Sequence, residues 1–142
     1  MRAEEAMLLI AVEVRASAVH GIGVFAREAV RRGAVVWQFD PGVDKRHPVS
    51  WLERQPEHVR RFLDVYGVLS LDKTQLSIPG DQTLFINHSS TPNLVPRDDV
   101  VVNGDGVVVA ARDIEIGEEL TVDYAEIAGD CRERVARGLP FF

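Results

Sequence analysis

Phe85-Ile86-Asn87-His88-Ser89-Ser90-Thr91-Pro92-Asn93 runs from two apolar residues straight into Asn-His-Ser and then a proline. Asn87 offers both hydrogen-bond donors and acceptors, which suits an adenine edge or an amino acid head group. Read alone, the stretch is equally a polar turn capping a strand, with His88 a hydrogen-bonded structural residue. Asn87-His88-Ser89 also matches a glycosylation acceptor. No secretory signal accompanies it, so that match reads as accidental. Downstream lies Gly117-Glu118-Glu119-Leu120-Thr121-Val122-Asp123-Tyr124, a glycine turn and short strand ending in Asp-Tyr. A tyrosine hydroxyl aimed into a pocket orients and polarises a nucleophile; a lone one is more often a core-edge residue.

Outward from these stretches the chain reads as many short strands. Residues 7–14 and 34–39 are apolar and β-branched, which predicts strands. Between them lies His20-Gly21-Ile22-Gly23-Val24-Phe25, whose two glycines let backbone approach a ligand closely. Asp40-Pro41-Gly42 and Pro79-Gly80-Asp81 are turns. One helix is predicted over 56–66, where Val59, Phe62, Leu63 and Tyr66 share an apolar face. Pro56 fits its first turn and Gly67 its C-terminal cap. Residues 68–78 read as short strands broken at Asp72-Lys73. Val100–Val102 and Val107–Val109 flank a Gly/Asn/Asp turn and predict a hairpin. Val30-x-x-Gly33-x-x-Val36 is echoed by Ile114-x-x-Gly117-x-x-Leu120, each a glycine turn feeding a strand. The sum is a mainly β chain with a helical insert, not a Rossmann or barrel pattern.

Length and composition bound the function. The 142 residues make one domain with a sizeable core. No apolar run reaches the 18 residues of a membrane helix. The single Cys131 forms no internal disulfide, and His20, His47, His58 and His88 lack zinc-ligand spacing, so no metal and a reducing, cytoplasmic setting are expected. Net charge is −6, but unevenly spread. Residues 1–71 carry 10 basic and 9 acidic side chains, and residues 72–142 carry 6 and 13. An acidic C-terminal half argues against nucleic acid and suits a cationic, Lys-bearing protein partner, although acidic residues also simply confer solubility.

The glycine pair, Asn-His-Ser and Gly-Glu-Glu-Leu-Thr-x-Asp-Tyr, in that order, resemble the SET domain, over about residues 8–125. SET domains are protein lysine methyltransferases that use S-adenosyl-L-methionine. The resemblance implies a single β-clip-like domain of short curved sheets over 1–142, with one helical insert and a C-terminal pseudoknot. It implies that Gly21, Ile22, Gly23 and Val24 lie along the cofactor, with Phe85, Asn87, the His88 backbone and Tyr124 completing its site. Tyr124 matches the catalytic tyrosine. Tyr66 and Val122 fall where residues line the lysine channel and influence the number of methyl groups added. The chain departs from the pattern at Leu84, where many members have Arg, and at Ser90, where many have Cys. The Cys-rich tail of many members is absent, and Phe141 or Phe142 is expected to pack near the adenine or the channel. Two other readings fit the fold: a degenerate SET module for protein recognition, and a methyltransferase for another nucleophile. Monomer and homodimer are both compatible with the sequence.

Overall fold

The computed structural model describes residues 8–127. It is built from ten short strands, and its symmetry was foreshadowed by the glycine echo. Strands β1 (Val12–Ala16) and β2 (Ile22–Ala26) form one antiparallel hairpin. Strands β8 (Leu94–Val102) and β9 (Asp105–Ala110) form another. Each hairpin feeds a glycine turn and then a third strand that pairs with the other hairpin. Thus β3 (Val35–Trp37) pairs with β9 through Val35 and Val109, and Phe25 of β2 bridges Glu119. The correspondence holds bond by bond at an offset of 84 residues. Val30 and Ile114 exchange both backbone bonds, at 2.9 and 2.7 Å. The Gly33 N–H donates to Ala110 O and the Gly117 N–H to Ala26 O, both at 2.8 Å. Both glycines have positive φ, +84° and +90°, which a residue with a Cβ adopts only at a cost. Val36 and Leu120, three residues on, are both fully buried. The two halves interlock around a core that includes Val24, Val36, Leu94, Ile114 and Leu120.

The remaining elements lie between and after the repeats. A second three-stranded sheet holds β4 (Lys45–Pro48), β5 (Val68–Leu69) and β6 (Gln75–Ile78), in the order β4-β6-β5. Helices α1 (Val49–Glu53) and α2 (Glu57–Tyr66) connect β4 to β5. A 3-10 turn at Gln82–Phe85 leads into β7 (Asn87–His88), which pairs parallel with β10 (Thr121–Val122). Helix α3 (Tyr124–Ile127) follows at once. The tight Asn103-Gly104 turn of the second hairpin has positive φ at both residues, as a two-residue turn between twisted strands requires.

Three expectations change. The N-terminal strand is not 7–14 but starts at Val12. Side chains take the backbone before it: Asp81 accepts from Leu8 N–H and Glu28 from Ala11 N–H, so Leu8 makes only a bridge to Trp37. Gly67 caps α2 as expected, in extended backbone at φ −76°. Its glycine is required by space, because a Cβ there would stand 2.8 Å from Leu63 O and 2.9 Å from Leu76 Cδ1. The apolar face of α2 buries only Leu63 fully, and Phe62 remains half exposed. The helical content also exceeds one insert, since α1 and α3 join α2. The proposed positions of Phe141 and Phe142, and Cys131, lie outside the described residues.

Candidate functional site

Strand β7 separates two environments. Ile86, just before it, lines a cavity of about 540 Å³. Asn87, one residue on, is 1 % exposed and turns toward the loop that joins β1 to β2. That loop, Ser17–Gly21, is closed by a bond from Ser17 N–H to Gly21 O at 2.9 Å, and Gly21 turns the chain at φ +50°. Four acceptors surround the Asn87 amide nitrogen: Ser17 Oγ at 3.1 Å, His20 O and Ile22 O at 3.0 Å, and Glu119 Oε2 at 2.8 Å. They fix the amide orientation, since the reversed amide would set oxygen against oxygen. Asn87 Oδ1 is then a buried acceptor with no partner among the described residues. Such a group costs about 1–3 kcal/mol until a donor reaches it.

The last residue of the quoted stretch is a clamp. Asn93, 3 % exposed, donates from Nδ2 to Glu119 O and accepts on Oδ1 from Thr121 N–H, at 2.8 and 2.9 Å. It holds the Asn-His-Ser segment against β10. At the far end of β10, His88 Nδ1 accepts from the Tyr124 N–H at 3.1 Å. That bond leaves the ring proton on Nε2. The Asp123 carboxylate 3.8 Å from Nδ1 is therefore a neighbour and not an ion-pair partner while the bond is made.

Tyr124 is buried, and its hydroxyl donates to Ile86 O. Tyr124, Val122, Tyr66, Ile86 and Ile127 all line the cavity. The ring of Tyr66 meets Phe85 edge-on with centroids 6.4 Å apart, so the last turn of α2 is braced against the segment entering β7. The lining also includes three acidic residues, Asp72, Asp98 and Glu126, and one arginine, Arg46, whose guanidinium stacks on the Phe39 ring at 4.1 Å. Hydrogen bonds from Ser70 and Thr74 hold the Asp72 carboxyl below the usual carboxylate range.

The structure thus places the three residues expected at the substrate or the chemistry, Tyr66, Val122 and Tyr124, in one cavity. Asn87 and the Gly21–Gly23 backbone meet on the other side of β7. Phe85 is half buried and packs on the core, and the Val24 side chain is wholly buried, with its carbonyl accepting from Leu120 N–H at 2.8 Å. Val24 therefore faces the interior, with none of its side chain open to a ligand. Ile22 is 47 % exposed. Gly23 is glycine for an internal reason: a Cβ would stand 2.4 Å from Glu119 Oε2. Ser17 and Glu119 were not singled out from sequence. Glu119 lay inside a quoted motif, but nothing in its spacing points at Asn87. Ser17 sits in Ala16-Ser17-Ala18, which carries no signal at all.

With that geometry in hand, comparison with known proteins is specific. Residues 21–125 match the SET domain family, and the chain belongs to it. Among curated proteins it is 32 % identical over 133 residues to the Arabidopsis thaliana histone-lysine N-methyltransferase ATX2, covering 87 % of this chain. It is 29 % identical over 115 residues to a Schizosaccharomyces pombe histone-lysine N-methyltransferase described as H3 lysine-4 specific, covering 76 % of this chain. In both cases the matched region is 12 % of the relative's length. Among solved structures, the Neurospora SET domain protein DIM-5, a histone lysine methyltransferase, superposes with a TM-score of 0.61 at 25 % identity. The match covers 83 % of this chain and 53 % of that one.

Proposed function

We propose that this chain is a protein-lysine methyltransferase that uses S-adenosyl-L-methionine. The observation that carries the reading is the division at β7: a cavity with a buried tyrosine on one side, and a glycine loop with an unsatisfied amide oxygen on the other. The residues fit this cofactor. Asn87 Oδ1 lacks a donor, and the ammonium of the cofactor's amino acid end is one. The backbone of Gly21, Ile22 and Gly23 would lie along it, and His88 would meet it through its backbone. The cofactor, when bound, supplies a methyl group on a sulfonium.

The chain's own residues do the rest. The Tyr124 oxygen, with its proton held by Ile86 O, turns lone-pair density toward the reacting centre. Val122, Ile86, Leu94 and Ile127 give the cavity apolar wall. A lysine amine has a solution pKa of about 10.4, and such walls favour its neutral, nucleophilic form. Holding donor and acceptor in line supplies up to roughly 7–11 kcal/mol of the barrier in well-oriented systems. The carboxylates Asp72, Asp98 and Glu126 draw in a cationic segment, so the substrate is a Lys-bearing basic protein such as a histone.

The test starts with titration calorimetry using S-adenosyl-L-methionine and S-adenosylhomocysteine, which needs no substrate. Micromolar binding is expected, weakened about tenfold or more by Asn87→Ala, the scale of a lost charged hydrogen bond. Methyl transfer to lysine in a panel of basic proteins completes it. A wild-type chain that binds neither compound would instead be a recognition module.

A further inference from the structure

Glu119 is a half-buried side chain that the proposed activity leaves unused and that three hydrogen bonds hold in place. Its carboxylate accepts from Ser17 Oγ, at 2.7 and 2.9 Å to its two oxygens, and from Asn87 Nδ2 at 2.8 Å. Ser17 in turn accepts from the N–H groups of Val19 and His20, at 2.9 and 3.2 Å. The carboxylate occupies the volume that a side chain at position 23 would need. It reaches this place because Glu119 bridges Phe25, two residues from Gly23 on β2, in the interlocked sheet.

We infer that Glu119 is a positioning residue for the cofactor's ammonium: it binds the Asn87 amide nitrogen and so aims the unpartnered Asn87 Oδ1 at that group. Two consequences follow from the geometry. The amide cannot turn over, because its nitrogen is held by a carboxylate as well as by neutral acceptors. A negative charge also stands directly behind the acceptor, which favours a cationic donor over a neutral one. The second glycine of Gly21-Ile22-Gly23 is then explained by this carboxylate and not by the ligand alone. The inference rests on the cofactor reading given above.

The experiment compares three probes by calorimetry. S-adenosyl-L-methionine and S-adenosylhomocysteine carry the ammonium; 5′-methylthioadenosine keeps the nucleoside and lacks it. The variants are Glu119→Gln, Asn87→Ala and their double. Glutamine keeps the shape but has one oxygen, for which Ser17 and Asn87 compete. Glu119→Gln is expected to weaken the two ammonium-bearing probes about tenfold, the scale of one charge-assisted hydrogen bond, and to leave methylthioadenosine unchanged. Added to Asn87→Ala it should cost nothing further, since the two act in series.

Equal loss for all three probes, or an additive double variant, would overturn the inference and mark Glu119 as merely structural. Unchanged affinity in Glu119→Gln would overturn it too. Wild-type protein that binds no ammonium-bearing probe would instead overturn the cofactor reading itself. Should Glu119→Gln unfold, Ser17→Ala keeps the carboxylate and removes one donor that steadies it. It is expected to weaken the ammonium-bearing probes about threefold and to spare methylthioadenosine. No selective loss there would count against the inference.

Discussion

Tyr124 has two separable roles in one hydroxyl. It satisfies Ile86 O inside the fold, and in the proposed function it presents lone pairs toward the cavity that Tyr124 lines. Tyr124→Phe should therefore lower stability by about 1–3 kcal/mol through the orphaned carbonyl. It should leave cofactor affinity within about twofold while methyl transfer falls about 100-fold. Equal turnover of variant and wild type would remove Tyr124 from the chemistry. Asp44 gives a residue-scale prediction of a different kind. It is 2 % exposed, and its two oxygens accept from Asp40 and Gly80 N–H groups at 3.0 and 3.1 Å. Burial, with smaller contributions from the nearby Asp81 and Asp40 charges, outweighs those bonds and pushes its carboxyl up to about 6 from 3.8. A raised carboxylate means the folded state binds the extra proton, so this group's contribution is greatest below about pH 4 and declines as pH rises through about 6. The stability difference between wild type and Asp44→Asn, followed by urea unfolding, should fall by about 2 kcal/mol from pH 4 to pH 7. A flat difference would show that burial does not govern this carboxyl.

At the scale of elements, the glycines divide by cause. Gly67 ends α2 in extended backbone but has no room for a methyl group, so Gly67→Ala should cost about 1–3 kcal/mol by overpacking. Gly104 has room, its nearest neighbour being Arg46 Nη1 at 3.8 Å, but sits at φ +82°. Gly104→Ala should cost about 1 kcal/mol through the backbone alone. Thermal unfolding of both variants reports these costs. The same contrast explains what was legible in sequence. The hairpin was readable because its turn is local and its branched strands alternate around it. Helix α2 was readable from its period and its cap from Gly67, yet the reason for a glycine there was not, because the crowding neighbour, Leu76, lies beyond the helix. Strand β4 escaped because Lys45-Arg46-His47-Pro48 has no apolar alternation; it pairs along β6 at the surface. The N-terminal strand was misplaced because Leu8 and Leu9 bond to β3 before the chain turns into its hairpin. Of the site, Asn87 and Tyr124 came from motifs. Ser17 and Glu119 did not, because what joins them is a contact across 102 residues.

Over the whole molecule, the exchanged third strands make the two halves one cooperative unit. The Val30–Ile114 pair and the two glycine bonds tie the halves at their centre. Hydrogen exchange should show the amides of Val30, Gly33, Ile114 and Gly117 opening with one shared free energy, equal to that of global unfolding. A markedly lower value for either glycine would mean that the halves open separately.

The same interlock governs how the chain is made. On the edge of β2 away from β1, the partner of Phe25 is Glu119, so an emerging N-terminal half presents an uncovered strand edge until the matching segment has been synthesised. At 5–20 residues per second, the 94 residues from Phe25 to Glu119 take roughly 5–19 s. During that interval the nascent first half exposes an apolar strand edge that its own later sequence alone is built to cover. Its natural risks on the ribosome are pairing with another copy's third strand and capture by a chaperone, and both end when Ile114 through Leu120 arrive.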